Sequence, residues 1–241
     1  MKLPPVPKNE EERLQALHSL NILDTLPEDE FDSLTELASY ICGVPISLIS
    51  FVDAERQWFK SRTGFDKSET TREVSFCAHA INSPEELMEI YDADLDERFQ
   101  GNPLVTGDPH IKFYAGIPIL DENKLPLGTI CVLDTKPHKL NKKQKSALRS
   151  LAIQASTLVQ LRSQSIAFRQ NQQRYSDVFN SVDDIIFELT KDWQFEFVNK
   201  KFTDLAGYTP EELREIFYWD LIKQGHKSRV IEFYRQQLKE I

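Results

Sequence analysis

Ile46-Ser47-Leu48-Ile49-Ser50-Phe51-Val52 is the stretch on which the fold turns. Its residues are β-branched, aromatic or small, and apolar side chains fall on both alternating sets. A strand of that kind is covered on both sides, so the pattern predicts the centre of a sheet lying between two layers. The polar run at 53–56 turns the chain into a partner strand at 57–61. Two further strands are expected at 112–120 and 127–134, joined by the polar, proline-ended loop 121–126 as a hairpin. Residues 75–81 read as a short helix and 87–91 as a short strand. The central prediction is a single antiparallel sheet with helices against it.

Helices precede and follow that sheet. Asn9 and Glu12 have the spacing of a helix start, with Leu14, Leu17 and Leu20 on one face. A second helix is expected over 28–42. Thr25 and Glu28 are spaced as a capping box, Phe31, Leu34, Ala38 and Ile41 form its stripe, and Gly43 stands as the C-cap. Between Leu140 and Gly207 there is neither proline nor glycine, and one long helix is read over 139–175. Leu148, Leu151, Ala155, Leu158 and Leu161 give it an apolar seam, which suits either a parallel dimer or packing on its own sheet. Arg162, Ser165 and Gln172 would weaken such a dimer seam. The glutamine-rich stretch 162–174 is too polar for a core helix and reads as a connector. Beyond it come a helix end at Tyr175, Val178 and Phe179, and a hairpin of 184–190 with 194–199. Short helices follow at 200–206 and 210–216, then an amphipathic helix over 228–241. The domain division read from this pattern is 1–160, 161–174 and 175–241.

Composition narrows the function. The 241 residues carry a formal net charge of −9, against both nucleic-acid binding and docking on anionic lipid. The three cysteines, Cys42, Cys77 and Cys131, are far apart and form no CxxC pair. Neither a disulfide framework nor a structural zinc site is indicated, and reduced thiols suit a cytoplasmic protein. The apolar run 44–52 is too short to span a membrane. No triad, zincin motif, P-loop or paired-carboxylate signature is present, so the chain is read as non-catalytic. Asp92-x-Asp94-x-Asp96 opens like a calcium loop, but Glu97 and Pro103 stand where glycine and glutamate are needed, leaving an acidic turn. The basic cluster from Lys136 to Arg149 reads as a solvated face.

Several motifs in order carry a resemblance. Ser75-Phe76-Cys77-Ala78-His79-Ala80-Ile81, Asp94, Arg98-Phe99, Asn102-Pro103-Leu104-Val105 and Phe113-Tyr114-Ala115-Gly116 resemble a bacterial GAF subfamily. Gly128-Thr129, Cys131-Val132 and Asp134 complete the match, over roughly 9–161. A second set resembles the N-terminal half of PAS domains: Phe179-x-Ser181, Asp184-Ile185-Ile186-Phe187, Phe197-Val198-Asn199, Phe202, Gly207-Tyr208 and Glu211-Glu212-Leu213. A PAS domain ordinarily continues with three more strands, so the chain is read as a fragment with a two-stranded PAS sheet. The implied fold class is α+β: a GAF-like antiparallel sheet packed between helices, joined by a long helix to a partial PAS-like α+β domain.

The GAF resemblance implies a ligand pocket lined or bordered by Phe76, Cys77, His79, Asp92, Asn102, Phe113 and Tyr114, with no metal and no identified cofactor. The plainer alternative makes Cys77 a buried thiol and His79 a core histidine. Ala78 separates these two, unlike the adjacent cysteine–histidine of bilin-binding relatives. The NKFDE signature of cyclic-nucleotide GAF domains is not seen. In the PAS part, Phe187, Phe197 and Phe202 are read as core, and His226 as an isolated loop histidine. GAF domains of this subfamily typically precede histidine kinases and diguanylate cyclases. The implied function is therefore an intracellular sensory input module of a signal-transduction protein, with a two-component sensor histidine kinase as the expected type, binding a small ligand or mediating dimerisation, homodimeric through the helices flanking the GAF domain. The alternatives are a ligand-free assembly module and a GAF-type methionine sulfoxide reductase. For the last, Cys42 at a helix end and Cys131 in mid-strand are expected to be inert.

Overall fold

In the computed structural model, which describes residues 1–229 and 232, the chain parts into two compact units. One is Met1–Ile166, and the second begins at Ala167. In the first unit, helices α1 (Glu10–Ser19) and α2 (Asp29–Cys42) lead into strands β1 (Ile46–Val52), β2 (Arg56–Thr63) and β3 (Glu69–Thr71). Then follow α3 (Phe76–Ala80), β4 (Met88–Ile90), α4 (Pro103–Thr106), β5 (Phe113–Leu120), β6 (Pro126–Asp134) and the first part of helix α5 (Lys142–Ser181), which continues past Ile166. The six strands form one sheet in the order β3-β2-β1-β6-β5-β4. Every pairing is antiparallel. All seven residues of β1 are buried, as a strand covered on both faces requires.

Register and alternation sort the side chains into two cores. One face of the sheet presents Ile49, Phe51, Phe113, Ala115, Ile117 and Ile130 to α1, α2 and α5. From α2 come Phe31, Leu34, Ala38 and Cys42, and from α5 come Leu148, Ala152, Ala155 and Val159. The seam of α5 therefore lies on its own sheet along much of its length, with Leu151 and Leu158 packed beside it. Leu161 is the exception and is 55% exposed. The opposite face presents Leu48, Tyr114, Cys131 and Leu133 to α3, α4 and the segments around them.

Local detail departs from the sequence reading where buried cations intervene. Thr25 and Glu28 do not form a capping box. Both accept hydrogen bonds from Lys60 Nζ, at 2.8 and 2.6 Å, and the Leu26 carbonyl accepts a third at 2.7 Å. The Lys60 side chain is wholly buried, so its charge needs those oxygens more than α2 needs a side-chain cap. Arg13 is also wholly buried, held by Glu10 at 2.7 and 2.8 Å. Glu10 in turn accepts from Arg72 at 2.6 Å. Asn9 starts α1 without a side-chain cap bond. On α2, Ile41 turns outward while Thr35 and Cys42 take the inner positions. Gly43 ends the helix in the left-handed region at φ 69°, as expected. Arg162 is engaged within its own unit, donating to the Leu20 and Asn21 carbonyls and to Glu28.

In the second unit β7 (Phe187–Leu189) and β8 (Phe195–Val198) form an antiparallel pair. Helices α6 (Lys200–Ala206) and α7 (Pro210–Arg214) and a single turn at Tyr218–Asp220 follow. Phe195, Phe202 and Leu213 make the core, with Phe187 partly buried against it. Phe197 is not core: it is 49% exposed and lies edge-on to Phe179 at 4.4 Å. Regular alternation would put Phe195 and Phe197 on one face, but the β7–β8 register shifts between Glu188, paired with Phe197, and Leu189, paired with Phe195, and only Phe195 is turned inward. Asn199 is fully buried and organises the entry to α6, accepting from Ile186 N and Phe202 N and donating to the Asp184 carbonyl. The long helix runs on to Ser181, past the expected end at 175. The amphipathic helix expected over 228–241 lies, apart from its first two residues and Glu232, outside the described residues.

Candidate functional site

The residues predicted to line a pocket divide when placed on the sheet. Ser75 caps α3 by accepting from Ala78 N at 3.0 Å, which sets Phe76 and Cys77 facing the strands. Phe76 stacks on Phe99 at 4.0 Å between ring centroids and an interplanar angle of 2°, and on Tyr114 at 5.2 Å. His79 lies edge-on to Phe99 at 4.9 Å. Asn102 is buried as the cap of α4, accepting from Leu104 N at 2.9 Å and donating to the Val74 carbonyl at 3.0 Å. Five of the seven predicted residues thus surround one aromatic cluster.

Phe113 and Asp92 do not join it. Phe113 lies in the opposite core, edge-on to His138 at 5.0 Å. It is adjacent to Tyr114 on β5, and adjacent strand residues point to opposite faces. Asp92 accepts from Asp94 N at 3.1 Å, and Asp96 likewise accepts from Arg98 N at 2.9 Å. The acidic run is therefore a pair of side-chain-capped turns, as its failed calcium pattern implied.

At the centre of the cluster are two thiols. Cys77 Sγ lies 3.8 Å from Cys131 Sγ, and both residues are at most 1% exposed. Gln57 Nε2 donates to Cys77 Sγ at 3.1 Å, and Tyr114 Oη donates to it at 3.5 Å. Ser75 Oγ donates to Gln57 Oε1, orienting that amide. Gly116 is what allows the tyrosine its position, since a Cβ there would run into the Tyr114 hydroxyl. Burial works to raise the Cys77 thiol, but hydrogen bonds from Cys131, Ser50, Thr129 and Tyr114 outweigh it and lower its pKa. Burial and the neighbouring Cys77 push Cys131 up. Of the two thiols, Cys77 is thus the more acidic. Burial likewise lowers His79, helped by the Arg98 guanidinium, so its imidazole is held neutral.

The space left among these side chains is small. A cavity of about 20 Å³ is bordered by Cys77, Cys131, Gln57, Tyr114 and Thr70 among others. That is room for one water-sized molecule, whereas a drug-sized ligand needs roughly 300–1,000 Å³. Larger surface hollows lie elsewhere and contain none of the predicted residues. One of about 320 Å³ is lined by Lys124, Arg149, Ile153 and Ser156. One of about 360 Å³ in the second unit is lined by Phe195, Asn199, Lys200 and Arg214.

Sequence reasoning missed Gln57, Phe99 and Cys131 as members of the cluster. The pairing Leu48↔Cys131 across β1 and β6 puts the cysteine on the face that Leu48 shares. Alternation along β6 could have placed it there, given which face α3 covers.

Comparison with known proteins agrees with this architecture. The GAF domain family model matches residues 26–159, and a PAS domain family matches 173–236. A cyclic di-GMP phosphodiesterase of Pseudomonas aeruginosa is 40% identical over 137 residues. That match takes in 57% of this chain and 23% of the phosphodiesterase, so the chain spans less than a quarter of that relative. Among solved structures, the GAF domain of an Acinetobacter phosphoenolpyruvate-protein phosphotransferase is similar at a TM-score of 0.46 and 16% identity, over 61% of this chain and 92% of that one. A type II free methionine-R-sulfoxide reductase from Thermoplasma acidophilum is similar at 0.44 and 14%, over 54% and 92%. With more than half of its residues matched by the GAF family and a PAS match following, the chain belongs to the GAF domain family and carries a PAS domain after it.

Proposed function

We propose that this chain is the sensory input part of a signalling protein, that it works as a homodimer, and that its output is cyclic di-GMP turnover. One observation carries the reading. A single 40-residue helix, α5, supplies core residues to the GAF unit and then side chains to the PAS unit. Its Leu148 and Val159 are wholly buried in the first, and its Asn180 accepts from Lys200 N in the second. A change that moves α5 in one unit has a covalent, helical route to the other. The 40% identity to a cyclic di-GMP phosphodiesterase supports that class of output over a histidine kinase.

The dimer reading rests on the outer face of α5. Leu161, Phe168 and Tyr175 recur at seven-residue intervals and are 55%, 63% and 78% exposed, and Val178 is exposed as well. Such a stripe matches one seam of a two-stranded coiled coil, with Gln164 and Asn171 as the polar positions that keep it weak. Sedimentation equilibrium tests this. The native chain is expected to dimerise, and Leu161→Glu with Phe168→Glu to be monomeric with unchanged helix content. A native chain that stays monomeric at high concentration would refute the dimer.

A second reading, a ligand-free assembly module, draws support from the cavity of about 20 Å³ at the predicted pocket. It predicts that native mass spectrometry of protein from its own host detects no bound small molecule.

A further inference from the structure

We propose that Cys77 and Cys131 form a redox-reactive dithiol, oxidised by a small hydroperoxide to a disulfide inside the GAF domain. This goes beyond the input-module reading and holds whatever output the chain serves. The two sulfurs come from different elements, the five-residue helix α3 and the central strand β6, and stand 3.8 Å apart. A disulfide needs about 2.05 Å, so oxidation requires an approach of under two ångströms and no rearrangement of the sheet. β6 is paired on both sides, with β1 and β5, whereas α3 makes no strand ladder. The approach therefore falls on α3.

Two features point to a small polar reactant. The cavity of about 20 Å³ is lined by both cysteines. Thr70 Oγ1 borders it and is buried without a hydrogen-bond partner among the described residues, leaving a polar atom that a bound water or peroxide would satisfy. On the outer side the cavity is closed by Phe65, Leu104 and Thr70, which are only partly buried, in contrast to the buried Leu48, Tyr114 and Leu133. Those three side chains are the short route in.

The chemistry balances with hydrogen peroxide as oxidant. The Cys77 thiolate attacks one peroxide oxygen: the O–O bond breaks, an S–O bond forms, and the departing hydroxide takes the Cys131 proton to become water. The Cys131 thiolate then attacks the Cys77 sulfur. An S–S bond forms, the S–O bond breaks, and the second hydroxide becomes water with the proton that Cys77 had released. Two thiols are oxidised and one peroxide is reduced to two waters. Hydrogen bonds from Gln57 and Tyr114 to Cys77 Sγ favour it as the attacking group. Cys42 lies in the other core, where burial raises its pKa to about 11, and serves as an internal control.

The test is peptide mapping of the full chain under non-reducing conditions after brief exposure to hydrogen peroxide. The expected product is a Cys77–Cys131 cross-link lighter by two hydrogens and reversed by dithiothreitol, with Cys42 still a thiol. Cys131→Ser should leave Cys77 as a sulfenic acid that dimedone captures. Cys77→Ser should slow oxidation of Cys131 by at least about tenfold. If the folded native chain keeps both thiols, oxidises Cys42 as fast, or carries Cys77 to the sulfinic acid without bridging, the proposal is overturned. The native-chain result decides even where a variant folds poorly.

Discussion

The two faces of the GAF sheet are built from different chemistry. One is covered by the long helices α2 and α5 and by α1, with leucine, isoleucine, alanine and phenylalanine interlocking throughout. Its margins are anchored by two wholly buried cations, Arg13 and Lys60, each held by a glutamate. The other face is covered by α3 and α4, of five and four residues. Beneath them lie stacked aromatics, two thiols and a chain of side-chain hydrogen bonds. Long amphipathic helices bury area and hold shape. Helices of one turn make few internal hydrogen bonds and depend on their caps and on packing. On this account one side of the sheet stabilises and the other is the side expected to open first.

The contrast can be broken most severely at the anchored side. Glu10→Ala leaves the Arg13 guanidinium buried without its partner, and urea unfolding should show a loss of about 3–5 kcal/mol. Leu148→Ala, at a wholly buried position of α5, should cost about 2–5 kcal/mol by the same measurement. On the other face Cys131→Ser should cost no more than about 1–2 kcal/mol, because Thr129 and the Leu48 backbone lie near enough to hydrogen-bond a hydroxyl. An equal loss at all three positions would erase the distinction.

The pH dependence sharpens it further. Glu10 and Glu28 have lowered pKa values: burial opposes, but Arg13 and Arg72, and Lys60 and Arg162, outweigh it. A depressed carboxylate contributes stability in full above its unfolded pKa and loses it as pH falls through its folded value. The helix-covered side should therefore weaken only below about pH 4.5. His79 is lowered by burial and by Arg98, with Asp96 and Lys2 opposing. The unfolded chain takes up that proton first, so stability begins to fall as pH drops through about 6.5. Denaturation midpoints at pH 7.5 and 5.5 should differ in the native chain and differ less in His79→Phe, the smallest of these effects.

Much of the first unit was legible because it follows period and punctuation. β1, β5, β6 and the hairpin between the last two, the αL glycine after α2 and the uninterrupted long helix all fall where pattern places them. What was not legible depended on partners distant in sequence. Lys60 claims Thr25 and Glu28, and Arg162 claims the carbonyls after α1. Those contacts span more than thirty residues, and no local spacing announces them. The candidate site was legible as a set of residue types and not as a face. Listing Phe113 with Tyr114 ignored the alternation that parts them, and the reading of Cys131 as a mid-strand residue did not include the second sulfur that α3 brings within 3.8 Å of it. Phe197 was read as core in the PAS part because no sequence pattern announces the register irregularity that turns it outward and leaves Phe195 inside.

Hydrogen exchange, followed by mass spectrometry on the native chain, tests the division between the faces most directly. Amides of α5 over 148–159 should exchange only through global unfolding, together with β1 and β6, while those of α3 and α4 exchange at least about tenfold faster through local opening. If 76–80 and 103–106 are protected as fully as 148–159, both faces are equally rigid, and the account of a stabilising side and a responsive side is wrong.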